Sequence, residues 1–421
     1  MRGSRTGDWR LALVVGVVVA LVAPRQARAE EAIALVGGRV ITLSGRALEV
    51  GTVVMRGGRV VAVAAGKVVP AGARAIDISG KVVTPGLVVV DSPVGAADID
   101  LEPSTRDDAI SERDDDGNHA ALRLADALSL RTPMIAVLRD QGVTSAVVAP
   151  WGGLVSGQAA WLDLGEGGPE QVVRASVAMV ANLGNAGASA AGGSRAYAVT
   201  RLKEMLDDAR AFARGARHDK SAFRPLSGSR LDLQALQGVL SGKQPLYVRA
   251  SREADLRAAL AVAREQKLRL VVGGGAEAWR LASELAAARV PVLVDPFENL
   301  PESFDALGSR LDNAARLAKT GVRLGFALRG ENHNAPTLRQ RAGVACANGL
   351  PHDEALAAAS RNLAEAFGLS DHGTLAAGKI ANVVVWSGDP LELSTQVERV
   401  FVHGVEQPRR SRQAELRDRY R

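Results

Sequence analysis

Short runs of alternating apolar and polar residues mark both ends of the chain, while the middle repeats a strand-then-helix pattern. From Ala34 to about Pro85 the runs 39-RVITL, 52-TVVMRGGRVVAVA and 81-KVVTP are broken by glycine, and the Arg-Gly-Gly-Arg step is a hairpin signal. A second β-rich piece, 382-NVVVWSGDP and 399-RVFVHGVEQ, comes only near the other end, so the two ends are expected to build one small sheet domain together. Between them lie β-branched runs at 87-LVVV, 144-TSAVVAP, 176-SVAMVA, 245-PLYVRA, 268-LRLVVGG, 291-PVLVDP and 322-VRLGFAL. Amphipathic stretches such as 253-EADLRAALAVAREQ, 276-AEAWRLASELAAA and 309-SRLDNAARLAKTG separate several of these runs and predict helices. Such alternation predicts an α/β fold with a parallel sheet, and at this length closure into a (β/α)8 barrel. Seven strands are clear and the eighth is unassigned. Residues 93–130 and 183–230 read as long loops or helices around the barrel mouth, and 151-WGGLVSGQ as a tight glycine-rich loop flanked by Trp151 and Trp161.

The pattern divides the 421 residues into a leader (1–29), a β-sandwich from 30–85 plus 374–407, a barrel from 86–373, and a basic tail, 408–421. In the leader, Arg2, Arg5 and Arg10 precede the apolar run 11-LALVVGVVVALVA, and Ala27-Arg28-Ala29 has the small-x-small form of a cleavage site. Export to the periplasm or the extracellular space is expected, with cleavage after Ala29 and no membrane span in the mature chain; the alternative is that the run stays as an uncleaved anchor. The net charge of +6 is carried by the ends: the leader holds five Arg and one Asp, and 407–421 six Arg against Glu415 and Asp418, leaving the body near −2. A body of that charge is expected to offer no phosphate track, which argues against nucleic acid as a partner. The acidic run 112-ERDDDG lacks the spacing of a calcium loop and reads as a solvated loop. The single Cys346 permits no internal disulfide and reads as a small packing residue.

Three segments resemble the amidohydrolase superfamily near imidazolonepropionase: 81-KVVTPGL, 341-RAGVACANGLPHDEALAAASRNLAEAFGLSD, and 373-GTLAAGKIANVVVWSGDPLE. The resemblance implies a metal-dependent hydrolase fold, a barrel flanked by a β-sandwich from both ends. Relatives hold zinc or another divalent metal at the C-terminal barrel face with His-x-His after the first strand, later histidines and a final aspartate. Aligned on that pattern, Asp91-Ser92-Pro93 stands at His-x-His, Arg249 and Gly274 at later histidines, and Arg329 at the aspartate. Proline and glycine offer no side-chain donor, and arginine repels a cation. None of the six histidines forms a His-x-His or His-x-x-x-His pair.

The chain is therefore expected to be a degenerate member that uses no metal cofactor and acts as a binding or structural protein. The alternative is a hydrolase of C–N bonds, in peptides or in cyclic or other non-peptide amides, working through a rearranged site. The vacated positions are Asp91, Pro93, Arg249, Gly274 and Arg329. Asp91 is expected to pair with Arg249 or Arg329, and Gln158, His333 and Asn334 are further pocket candidates. Expected partners are a small molecule at the barrel mouth and a second copy or an active relative.

Overall fold

The computed structural model describes residues 31–110, 117–215, 218–219, 224–328, 330, 332–408 and 412–421. The expected leader, the acidic run 112–116 and Arg329 lie outside them. The β-branched N-terminal runs form β1 (Ala32–Val40), β2 (Leu48–Arg56), β3 (Arg59–Ala65), β4 (Ala73–Asp77) and β5 (Val82–Pro85). The barrel strands are β6 (Leu87–Ser92), β7 (Val143–Val148), β8 (Val155–Asp163) and β9 (Val172–Asn182), then β12 (Leu246–Ala250), β13 (Leu270–Gly274), β14 (Val292–Val294) and β15 (Leu324–Phe326). A two-residue ladder, β10 (His218–Asp219) with β11 (Arg224–Pro225), lies between β9 and β12 in the chain, and β16 (Val383–Trp386), β17 (Val397–Val402) and β18 (Val405–Glu406) follow the barrel, ahead of a helix at Arg412–Arg419.

Both ends of the described chain meet in one sheet, in the order β18-β17-β16-β5-β1-β2-β3, with β4 parallel to β1. The second sheet runs β6-β7-β8-β9-β12-β13-β14-β15 and curls into a barrel. Leu328 N donates to Val90 O at 2.9 Å and brings its two ends together. Strand neighbours are parallel except at β8, which is antiparallel to both β7 and β9.

The unassigned eighth strand is thus β8, in the stretch expected to be a glycine-rich loop. All nine of its residues are buried, because the barrel interior covers one face and residues around Ala120 and Leu122 cover the other. A strand buried on both faces has no polar-apolar alternation to betray it.

Val90, Val147, Trp161, Val180, Tyr247 and Leu293 fill the barrel interior, and Leu363, Phe367 and Leu369 pack into the same cluster. The Tyr247 and Phe367 rings meet edge to face with centroids 6.0 Å apart. Since β8 runs against its neighbours, its C-terminal Asp163 lies at the foot of the barrel opposite Ser145, near the start of β7. There His372 Nε2 and His403 Nε2 lie 3.0 and 2.7 Å from Asp163 Oδ2, while Ser145 Oγ and Trp161 Nε1 donate to Oδ1. Burial raises the carboxyl pKa of Asp163, but the bonds from His372 and His403 outweigh this and hold it below the usual range.

Candidate functional site at the barrel mouth

A break in strand regularity builds the site. Val90 pairs with Val147 and Ser92 with Val148, so Asp91 is left between them as a bulge with φ of +64°. Val88 and Val90 face the interior, so simple alternation would turn Asp91 outward; the bulge re-aims its carboxylate into the barrel. Aspartate tolerates this left-handed backbone better than most residues.

Arg249, on β12, comes to meet it. Arg249 Nε donates to Asp91 Oδ2 at 2.9 Å, and Nη2 donates to Asp91 Oδ1. Tyr247, two residues earlier on the same strand face, donates its hydroxyl to Asp91 Oδ2 at 3.1 Å. Arg249 Nη1 donates to Pro150 O at 2.9 Å and to Asn182 Oδ1 at 3.3 Å, and the guanidinium carbon lies 3.9 Å from the Trp151 ring centroid. Both side chains are buried, at 0% exposure for Asp91 and 3% for Arg249. A lone charge there would cost several kcal/mol, so each stabilises the other chiefly by removing that cost. Room for Tyr247 comes from Gly273 on β13: a Cβ there would stand 2.1 Å from the tyrosine hydroxyl.

The other described sequence candidates make no hydrogen bond to this pair. Pro93 is buried and offers no donor, and Gly274 ends β13 with φ of +94°. Gln158 is corrected: its neighbour Ala159 faces the barrel interior, while Gln158 Nε2 donates to Ala120 O at 2.9 Å and fastens the covering segment. His333 is also corrected, because its side chain is 70% exposed and lies 4.0 Å from Asp100 rather than in a pocket. Asn334 accepts from Arg341 Nη2 at 3.1 Å. Arg329 lies outside the described residues; β15 ends at Phe326 and is followed by the buried Ala327.

Sequence reasoning missed a second pair at the same face, in which Arg341 Nη1 binds the Asp295 carboxylate just after β14. The Arg341 guanidinium lies 4.3 Å from the Phe297 ring centroid. It also missed Asp255, in the first turn of the helix Glu253–Gln266 after β12. Asp255 Oδ2 is buried without a hydrogen-bond partner and stands 3.9 Å from both Arg195 Nε and Arg252 Nε. Burial is the main cause of its raised carboxyl pKa, ahead of opposing attraction from Arg252 and with repulsion from Asp305 adding to it.

Residues 242–406 match the amidohydrolase family model. That match covers less than half of the chain, which over this stretch is similar to amidohydrolases. Amidohydrolase tasK of Hapsidospora irregularis is 35% identical over 114 residues, which cover 25% of this chain and 12% of tasK. Among solved structures, an amidohydrolase from Thermotoga maritima MSB8 superposes with a TM-score of 0.81 at 23% identity, over 90% of this chain and all of that one. Triazine hydrolase from Arthobacter aurescens gives 0.56 at 18% identity, over 92% and 98% of the two chains. At these identities the structural likeness establishes the fold.

The amidohydrolase fold implies a divalent metal at this barrel face, and the described residues do not fit one. The Asp91 carboxylate is already engaged by a guanidinium and a phenol, and Pro93, Gly274 and Ala327 bring no donor. Among the described residues, no group of three or more His, Cys, Asp or Glu side chains could hold a metal ion. Burial pushes the Cys346 thiol pKa up, which disfavours the nucleophilic thiolate.

Proposed function

We propose that this is an exported amidohydrolase-fold protein in which a buried ion pair replaces the metal centre, leaving a binding or structural role. The observation that carries this reading is the Asp91–Arg249 pair, a cation covalently part of the chain and bonded to the carboxylate a metal would need. Mass-spectrometric metal analysis of the purified mature protein, with and without added zinc or manganese, tests it. Substoichiometric metal under both conditions is the expected result, and one tightly held equivalent would sink the reading. N-terminal sequencing of the exported protein tests the leader, with Glu30 expected as the first residue.

Asp255 supports a second reading, hydrolysis of a C–N bond through a rearranged site. A buried carboxyl with a raised pKa at the barrel mouth has the properties of a general acid or base. Assay of the metal-stripped protein on dipeptides, cyclic amides and N-acyl amides discriminates the two. Turnover that survives chelation and is lost in Asp255→Asn would favour hydrolysis.

A further inference from the structure

The far end of the barrel carries the opposite character from its mouth. Two adjoining clefts, of about 1300 and 960 Å³, run along the segments that precede β12 to β15 and the ends of the intervening helices. Arg289, Arg323 and Glu365 line both, so the clefts form one bent groove. The groove gathers nine cationic side chains against four carboxylates, in a body whose net charge is near −2. The near-neutral body charge read from the sequence therefore conceals a local basic face.

Intramolecular pairing leaves much of that charge unused. Arg316 pairs with Asp312, Arg257 with Glu284 and Arg323 with Glu365. Arg264, Arg289 and Lys319 make no ion pair or side-chain hydrogen bond among the described residues, and Arg269 donates only to Gly242 O at 3.4 Å. Cations complement helix C-terminal dipoles, and that accounts for Arg264, Arg316 and Lys319 in their last turns. It does not account for Arg269 and Arg323, which directly precede strands, or for Arg289, whose φ of +53° is a left-handed backbone that arginine adopts uncommonly.

The lining narrows the partner. Seven of the nine cations are arginine, whose planar guanidinium binds carboxylates two-pronged. Between them lie aliphatic residues, among them Leu260, Leu268, Leu285, Ala315 and Val322. No lining residue is aromatic, so the groove has no platform on which nucleobases could stack. We infer that this groove binds an extended polypeptide segment of a partner protein that presents carboxylates interspersed with aliphatic side chains. The inference is independent of what happens at the mouth, so it stands or falls apart from the functional reading above.

Fluorescence anisotropy of the mature protein with a labelled peptide of Glu, Ala and Leu, and with its Gln counterpart, tests the inference. The Glu peptide is expected to bind, to weaken steeply as salt is raised, and to bind about tenfold less tightly to Arg264→Ala/Arg289→Ala, which removes two charge-assisted contacts. Arg264→Gln alone, at an exposed helical position, gives a second measure should the double variant fold poorly. Equal binding of the Gln peptide, or unchanged affinity in both variants, would overturn the inference. So would binding of inorganic polyphosphate without binding of the Glu peptide, or self-association of the chain at low salt without peptide binding.

Discussion

Arg249 meets the Asp91 carboxylate with a positive charge that the chain itself supplies. Because Asp91 and Arg249 bury each other, Asp91→Ala should destabilise the protein by about 3 kcal/mol or more, by stranding a buried guanidinium. The double variant Asp91→Leu/Arg249→Met should recover most of that loss, since it removes both charges together. Urea melts of the three proteins check this, and a single variant as stable as the parent would refute it. Tyr247→Phe removes one hydrogen bond to Asp91 and should cost about 1 kcal/mol in the same melts. Gly273→Ala should cost more than Tyr247→Phe, because its methyl would overlap the phenol ring itself, 2.4 Å from Cζ. At this scale the sequence was partly legible. Asp91 and Arg249 were visible as substitutions in a known pattern, and Tyr247 was within reach because residues two apart on a strand share a face. The bulge at Asp91 was not legible, since no residue type specifies it, and the pairing of Asp295 with Arg341 joins positions 46 residues apart with no motif between them.

Reversal of one strand reorganises what each end of the barrel carries. By running against its neighbours, β8 delivers Asp163 to the foot, where it joins His372 and His403 beneath the terminal sheet. Burial works against the charged form of His372, but bonds to Asp163 and then Asp371 prevail and raise its pKa. A raised folded-state pKa stabilises fully below the unfolded value, about 6.5, and that contribution is lost as pH rises through the folded value. The stability difference between the parent and His372→Gln should therefore be largest near pH 6 and shrink on going towards alkaline pH, as thermal melts across that range would show. Asp163, with its lowered pKa, acts in the opposite sense: its contribution is present above the usual carboxylate range and fades as strong acid titrates it. The seven strands read from their apolar runs are all present, whereas β8 hid because burial on both faces erased its period. Gln158 was misplaced for the same reason: without the strand, its outward direction could not be read.

Across the whole molecule, one barrel offers two ends of different chemistry: a mouth plugged by paired charges and a far face lined by seven arginines, of which Arg264 and Arg289 are unpaired among the described residues. If the ion pair stands in for the metal, chelation should leave the melting temperature unchanged, and zinc should not raise it; a shift with either reagent would contradict the proposal. Net charge concealed the far face, because composition sums over a surface and discards where each charge lies.

The terminal sheet also bears on how the protein is made. β5 lies in the sheet between β1 and β16, where Val383 pairs with Pro85. A nascent chain that has completed β1 to β15 therefore still has an unpaired edge on β5, and the residues around Phe367 that cap the interior emerge only shortly before β16. Completion of this sheet must wait for β16 to be synthesised, which favours slow, late folding over stepwise growth of the barrel. Loss of the final hundred residues would then yield an aggregating polypeptide rather than a smaller working barrel, although every strand of the N-terminal half would be intact.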